Sequence, residues 1–192
     1  MSGERAMMTP LEIGLIIALI VVVLAFVAYV VWKEWRTRHL RRRFGPEYSQ
    51  TVVESGSRAR AESQLAAREQ RVARFQIRPL TREQKMKYVA TWQNIQAEFV
   101  DDPREAVQHA DALLGDVMAA RGYPVSDFEQ RAADLSVDHP LVVQHYRAGH
   151  AIALRHERGE AGTEELRQAM IHYRALFEEL VSETEAARVP AQ

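Results

Sequence analysis

The side chains best able to do chemistry in this sequence are its seven histidines, since an imidazole can ligate a transition metal or move a proton near neutral pH. A metal site on one helix wants two of them one turn apart, so that both nitrogens leave the same face. The nearest pair, His145 and His150, is five residues apart and leaves on different faces, and no H-E-x-x-H occurs. The absence of cysteine excludes a disulfide framework, a thiolate metal site and a cysteine nucleophile. G-x-S-x-G, G-x-x-x-x-G-K-[ST] and G-x-G-x-x-G are also missing, so serine hydrolase, P-loop and dinucleotide readings lack their usual support. Asp138-His139-Pro140 reads as a helix cap and turn rather than an acid–imidazole pair. One candidate pocket remains, between the last helices, where Tyr123, Tyr146, His150 and Tyr173 would gather hydroxyls around an imidazole. No catalytic, cofactor-binding or metal-binding residue is assigned, and no cofactor is expected.

Helices must hold these groups. No window keeps the alternation of a strand, and apolar residues recur at three and four, so the expected class is all-α. Thr81 with Gln84, Asp102 with Glu105 and Ser126 with Glu129 have the spacing of a capping box and mark three helix starts. Tyr88, Trp92, Ile95 and Phe99 form the stripe of the first helix, and Val107, Ala110, Leu113, Leu114, Val117 and Met118 that of the second. Asp138 is expected to cap a longer helix running to Gly159, with Val142, Tyr146, Gly149 and Ala153 facing inward. A hairpin then returns through Leu166, Ala169, Met170, Tyr173, Phe177 and Leu180. Residues 79–186 form the expected globular helical bundle, followed by a frayed tail over 187–192.

The net charge of -1 hides an asymmetry. Residues 33–78 carry 12 Lys/Arg against 5 Asp/Glu, and residues 79–192 carry 12 against 19, a surplus of seven in each direction. Ahead of the basic part, after a short tail over 1–10, residues 11–32 are almost wholly apolar, and 22 residues of helix reach roughly 33 Å, enough for a hydrocarbon core. This predicts a transmembrane helix. Lys33, Arg36, Arg38, Arg41, Arg42 and Arg43 crowd its carboxyl end while the other flank has a single Arg, which predicts an outside amino terminus and a cytoplasmic domain at the cell (inner or plasma) membrane. Trp32 and Trp35 fall where indoles favour the headgroup region. The expected partners are the lipid bilayer, anionic lipids at the arginine cluster, and a protein of unknown identity. Nucleic acid is not expected, because the basic stretch faces a membrane and carries no base-stacking platform.

Gly45-Pro46 should stop the basic continuation of the spanning helix. Pro46 to Glu54 then reads as a short helix closed by Gly56, and Ser57 as the cap of a helix reaching Phe75, with a thin stripe of Ala61, Leu65, Val72 and Phe75. Residues 33–78 are therefore expected to be a basic juxtamembrane linker, a spacer or a pairing helix. The acidic end at Glu178, Glu179, Glu183 and Glu185 is an expected mate for Arg58 to Arg78.

The stretches "RRRFGPEY" and "RGYPVSDFEQRAADLSVDHPLVVQHYRAGHAIALRHERGE" resemble a group of uncharacterised bacterial proteins with a single membrane span. The resemblance runs from Arg41 to about Leu180 and implies a membrane-anchored helical protein without bringing any catalytic residue. "TEELRQAMIHYRALFEELV" is similar to the second helix of a tetratricopeptide repeat, through Ala169, Tyr173 and Leu176, as a single imperfect unit with no 34-residue period. The function expected from all of this is a membrane-anchored interaction or scaffold protein; the alternative is a tethered enzyme or small-ligand sensor using the tyrosine and histidine pocket.

Overall fold

A computed structural model describes residues 10–182. Most of the expected amino-terminal tail, the tail over 187–192, and Glu183 and Glu185 lie outside the described residues. The described residues form eight α-helices and no strand: α1 (Pro10–Phe44), α2 (Pro46–Ser55), α3 (Arg58–Val72), α4 (Arg82–Glu98), α5 (Pro103–Arg121), α6 (Phe128–Asp138), α7 (Val143–Glu157) and α8 (Thr163–Ser182). The fold is all-α, as the periodicities require. The chain divides into two units, one ending at Arg42 and one starting at Arg43.

The first unit is the apolar helix. With 35 residues, α1 is about 52 Å long. From Ala18 it is long and apolar enough to cross a membrane, with a mean hydropathy of 1.9. Leu19, Ile20, Val21, Val22, Val23 and Leu24 are each at least half exposed, so no side of this stretch is covered by protein.

The second unit begins where α1 stops. Gly45 takes φ +47° and ψ -122°, a conformation that a side chain at Cβ would obstruct, and Pro46 starts α2 at a position where its missing N–H costs nothing. α5 and α8 each supply more buried apolar residues than any other helix among the described residues. Leu114 and Val117 of α5 and Ala169, Tyr173 and Leu176 of α8 are fully buried. α4 lays Trp92 flat on Phe177, with ring centroids 4.9 Å apart and planes 14° from parallel. Thr81 and Gln84 form the complete capping box at the start of α4, and Asp102 accepts from the Glu105 amide at 2.9 Å.

Several expectations need correcting. The cap of α6 is Asp127, which accepts from the Gln130 amide at 2.8 Å, one residue later than Ser126. Asp138 ends α6 instead of capping α7, and the buried entry residue of α7 is Val143 rather than Val142. Ser57 stands at the start of α3 without a side-chain cap bond, and α3 ends at Val72. The boundary of the compact unit lies at Arg43, not at residue 79, because α2 and α3 pair and α3 packs on α6. Ala61 and Leu65 are completely buried, so the thin stripe suffices once ionic groups beside it are also paired.

Candidate functional site

Four helices each contribute one polar side chain to a common interior cluster: Asp111 from α5, Arg131 from α6, Tyr146 from α7 and Tyr173 from α8. Two glycines make room for it. A Cβ on Gly115 would lie 2.7 Å from Arg131 Nη1, and a Cβ on Gly149 would lie 2.7 Å from Tyr173 Cε1. Arg131 Nη2 donates to Asp111 Oδ2 at 3.4 Å, and its guanidinium carbon lies 5.9 Å from the centre of the Tyr146 ring. Tyr146 and Tyr173 are fully buried with ring centroids 6.1 Å apart. Phe128 covers the cluster, tilted on Tyr146 at 4.7 Å and stacked on His150 at 3.6 Å.

The electrostatics define what this cluster does. Burial first, and the Asp111 charge second, push both phenols above the ordinary tyrosine value, so they keep their protons throughout the physiological range. Burial also pushes the His150 imidazole down, which leaves it neutral near pH 7. The cluster therefore offers two phenolic donors beside a carboxylate and a guanidinium. It is suited to directed hydrogen bonding and poorly suited to proton transfer by a phenolate.

Three of the four residues expected to form the pocket are brought together here, namely Tyr146, His150 and Tyr173. Tyr123 is elsewhere: its hydroxyl donates to Asp138 Oδ2 at 3.2 Å and its ring meets Phe75 edge-on. Sequence reasoning missed Asp111 and Arg131, whose only signal is a glycine within each of two helices packed on the cluster, Gly115 and Gly149.

A second buried charge centre was also missed. Glu47 of α2 is 1 % exposed, and its Oε1 accepts from Arg68 Nη1 of α3 at 2.7 Å and from Arg147 Nη2 of α7 at 2.8 Å. Its Oε2 accepts from Gln144 Nε2 at 2.9 Å. Nearby, Arg71 Nε donates to buried Asp134 at 2.7 Å, and Gln130 donates to the same carboxylate. Two of the arginines of α3, Arg68 and Arg71, are thus paired with Glu47 and Asp134. The expected mates are engaged otherwise: Glu178 accepts from Arg174 at 2.6 Å, and Glu179 lies 3.2 Å from His139 Nδ1.

The basic residues expected at a membrane interface sort into two groups. Trp32 and Trp35 are exposed, Arg36 lies 5.6 Å from the Trp32 ring centre, and Tyr29 stands 6.4 Å from the same indole. Lys33, Arg41 and Arg42 are exposed, and Arg38 pairs with Glu34 at 3.4 Å. Arg43 belongs to the folded unit instead, because Glu69 and Asp138 each hold its guanidinium at 3.4 Å.

His139 gives the folded unit a pH dependence with a definite sign. Burial and the Arg121 charge hold its imidazole below the ordinary value near 6.5, against the pull of Glu179 and Asp138. The unfolded chain then binds the proton more readily, so the stability contributed by neutral His139 is complete above about pH 6.5 and declines as pH falls toward the folded pKa. His150 shifts in the same direction, whereas His109, raised by its Glu98 hydrogen bond, acts oppositely from an exposed position. Thermal melts of the full chain in detergent should show a midpoint that falls between pH 7.5 and 5.5, with a shallower fall in His139→Gln. A midpoint that rises on acidification would contradict this assignment.

No family model, curated protein or solved structure matches the chain.

Proposed function

We propose that the chain is a single-span membrane protein that holds its helical domain at the cytoplasmic face of the cell membrane, where the domain docks a protein partner. The supporting observation is the apolar stretch of α1, uncovered on every side from Leu19 to Leu24, since insertion among acyl chains would remove that surface from water. The exposed cations Lys33, Arg41 and Arg42, with half-buried Arg36, after Trp32 favour retention of the carboxyl side in the cytoplasm and contact with anionic lipids. The resemblance to single-span bacterial proteins points the same way.

Interaction is favoured over catalysis because both tyrosines of the four-helix cluster are fully buried, with the Phe128 ring laid against Tyr146. A second reading, a tethered enzyme or small-ligand sensor, draws on the convergence of Asp111, Arg131, Tyr146 and Tyr173 from four helices. Proximity labelling from the carboxyl domain in native cells tests the docking reading. The expected result is a discrete set of labelled proteins that is lost when residues 11–32 are deleted. Labelling identical with and without that segment would overturn it. Tyr146→Phe with Tyr173→Phe separates the readings: loss of phenotype with fold and labelling intact would favour the pocket.

A further inference from the structure

The α7–α8 hairpin turns two histidines toward one another across 27 residues of sequence. His145 Nδ1 and His172 Nδ1 lie 3.0 Å apart, with ring centroids 5.3 Å apart and planes 36° from parallel. This meeting has a structural cause. The next residue on each helix, Tyr146 or Tyr173, is fully buried, and Gly149 lets the helices approach until a Cβ there would touch the Tyr173 ring at 2.7 Å and the Ala169 carbonyl at 3.3 Å. At the level of closest approach, each helix sends a tyrosine inward and the histidine before it outward.

Two imidazole nitrogens at this distance are bridged either by a proton, one neutral tautomer donating its N–H to the lone pair of the other, or by a metal ion that takes the proton's place. We propose that His145 and His172 form a two-imidazole chelate for a divalent transition metal of the Cu(II) or Ni(II) class, bound through both Nδ1 atoms. Metal–nitrogen bonds of about 2.0–2.1 Å across this separation of 3.0 Å subtend roughly 91–97° at the ion. That angle suits adjacent corners of a square-planar or octahedral ion and is narrower than the opening of about 109° that tetrahedral zinc prefers. His145 is exposed and His172 half-buried, so both rings have space to turn their lone pairs toward an ion. Among the described residues no group of three or more His, Asp or Glu side chains converges on a metal position, so water fills the remaining coordination sites. Hard ions such as Mg(II), which want oxygen ligands, are not accommodated. The chelate lies wholly within the folded unit and does not depend on the membrane reading.

The test uses the tag-free full chain in detergent at pH 7.5, titrated with CuCl2, NiCl2, ZnCl2 or MgCl2. One equivalent of Cu(II) should bind saturably, with hyperfine coupling from two nitrogens in its electron paramagnetic resonance spectrum, and the melting midpoint should rise with added metal. Affinity should fall from Cu(II) through Ni(II), with no response to Mg(II). His145→Gln and His172→Gln should each weaken binding by about tenfold or more, whereas His109→Gln should not. Unchanged Cu(II) affinity in the double variant, or no saturable uptake by the wild-type chain, would overturn the proposal and leave a shared proton between the rings. If either variant folds poorly, the two-nitrogen spectrum of the wild-type chain still decides.

Discussion

Glu47→Ala is expected to destabilise the folded unit by about 3–5 kcal/mol, because it strands two guanidiniums that share one buried carboxylate. Arg68 and Arg147 are only 16 % and 18 % exposed at their side chains, so water cannot take over the role of Glu47 without the surrounding helices moving. The effect measures an uncompensated charge and not the net worth of the network. Replacing all three charged groups together, as Glu47→Leu with Arg68→Met and Arg147→Met, should therefore cost far less than the single change. Chemical denaturation of the full chain in detergent distinguishes the two. Equal losses in the single and triple variants would mean that the site contributes through shape rather than charge. The same centre ties α2, which has few apolar residues, to α3 through Arg68 and to α7 through Gln144 and Arg147.

The second large effect is expected at Gly122, which ends α5 with φ +98°. A Cβ there would stand 2.3 Å from the Gln76 carbonyl oxygen and 3.1 Å from its carbon. Both atoms are backbone, and they are held in place because the Arg78 amide donates to the Arg121 carbonyl at 2.8 Å. Gly122→Ala thus combines a left-handed backbone penalty with a contact that no rotamer relieves, for a loss of about 2–5 kcal/mol. Gly115→Ala is the informative comparison, since its Cβ would meet only the movable end of the Arg131 side chain. Denaturation midpoints should rank Gly122→Ala well below Gly115→Ala. The reverse order would show that the strand of chain from Gln76 to Arg78 is free to shift.

What the sequence revealed follows from the range of the interactions involved. The stripe of α8 was legible except for buried Leu176, because its residues recur on one helical face, and the stop at Gly45-Pro46 because glycine and proline act on their own backbone. The caps of α4 and α5 were legible and that of α6 to within a residue, since Ser126 and Asp127 both offer an oxygen three residues before an amide and only the final turn geometry selects Asp127, whereas Asp138 and Ser57 make no cap bond. Pairings between distant segments left no trace. Glu47 and Arg147 are 100 residues apart, and nothing in the composition of residues 43–78 distinguishes a solvated basic linker from a helix pair whose charges are matched inside the fold. The same blindness hid His145 from His172: a test at i and i+4 examines one helix, whereas these rings meet across two. In the candidate cluster, the tyrosines and His150 were visible as residues able to do chemistry, but Asp111 and Arg131 look like ordinary surface charges until the packing of the helices brings them beside the buried phenols.

The freedom from cysteine allows the central claim to be tested with single thiols. Ser2→Cys and Ser182→Cys, each in the full chain, can be challenged with a membrane-impermeant maleimide in intact cells and again after lysis. The account predicts that Ser2→Cys reacts in intact cells and that Ser182→Cys, exposed at the end of α8, reacts only after lysis. Reaction of Ser182→Cys in intact cells, or protection of both thiols until lysis, would contradict it.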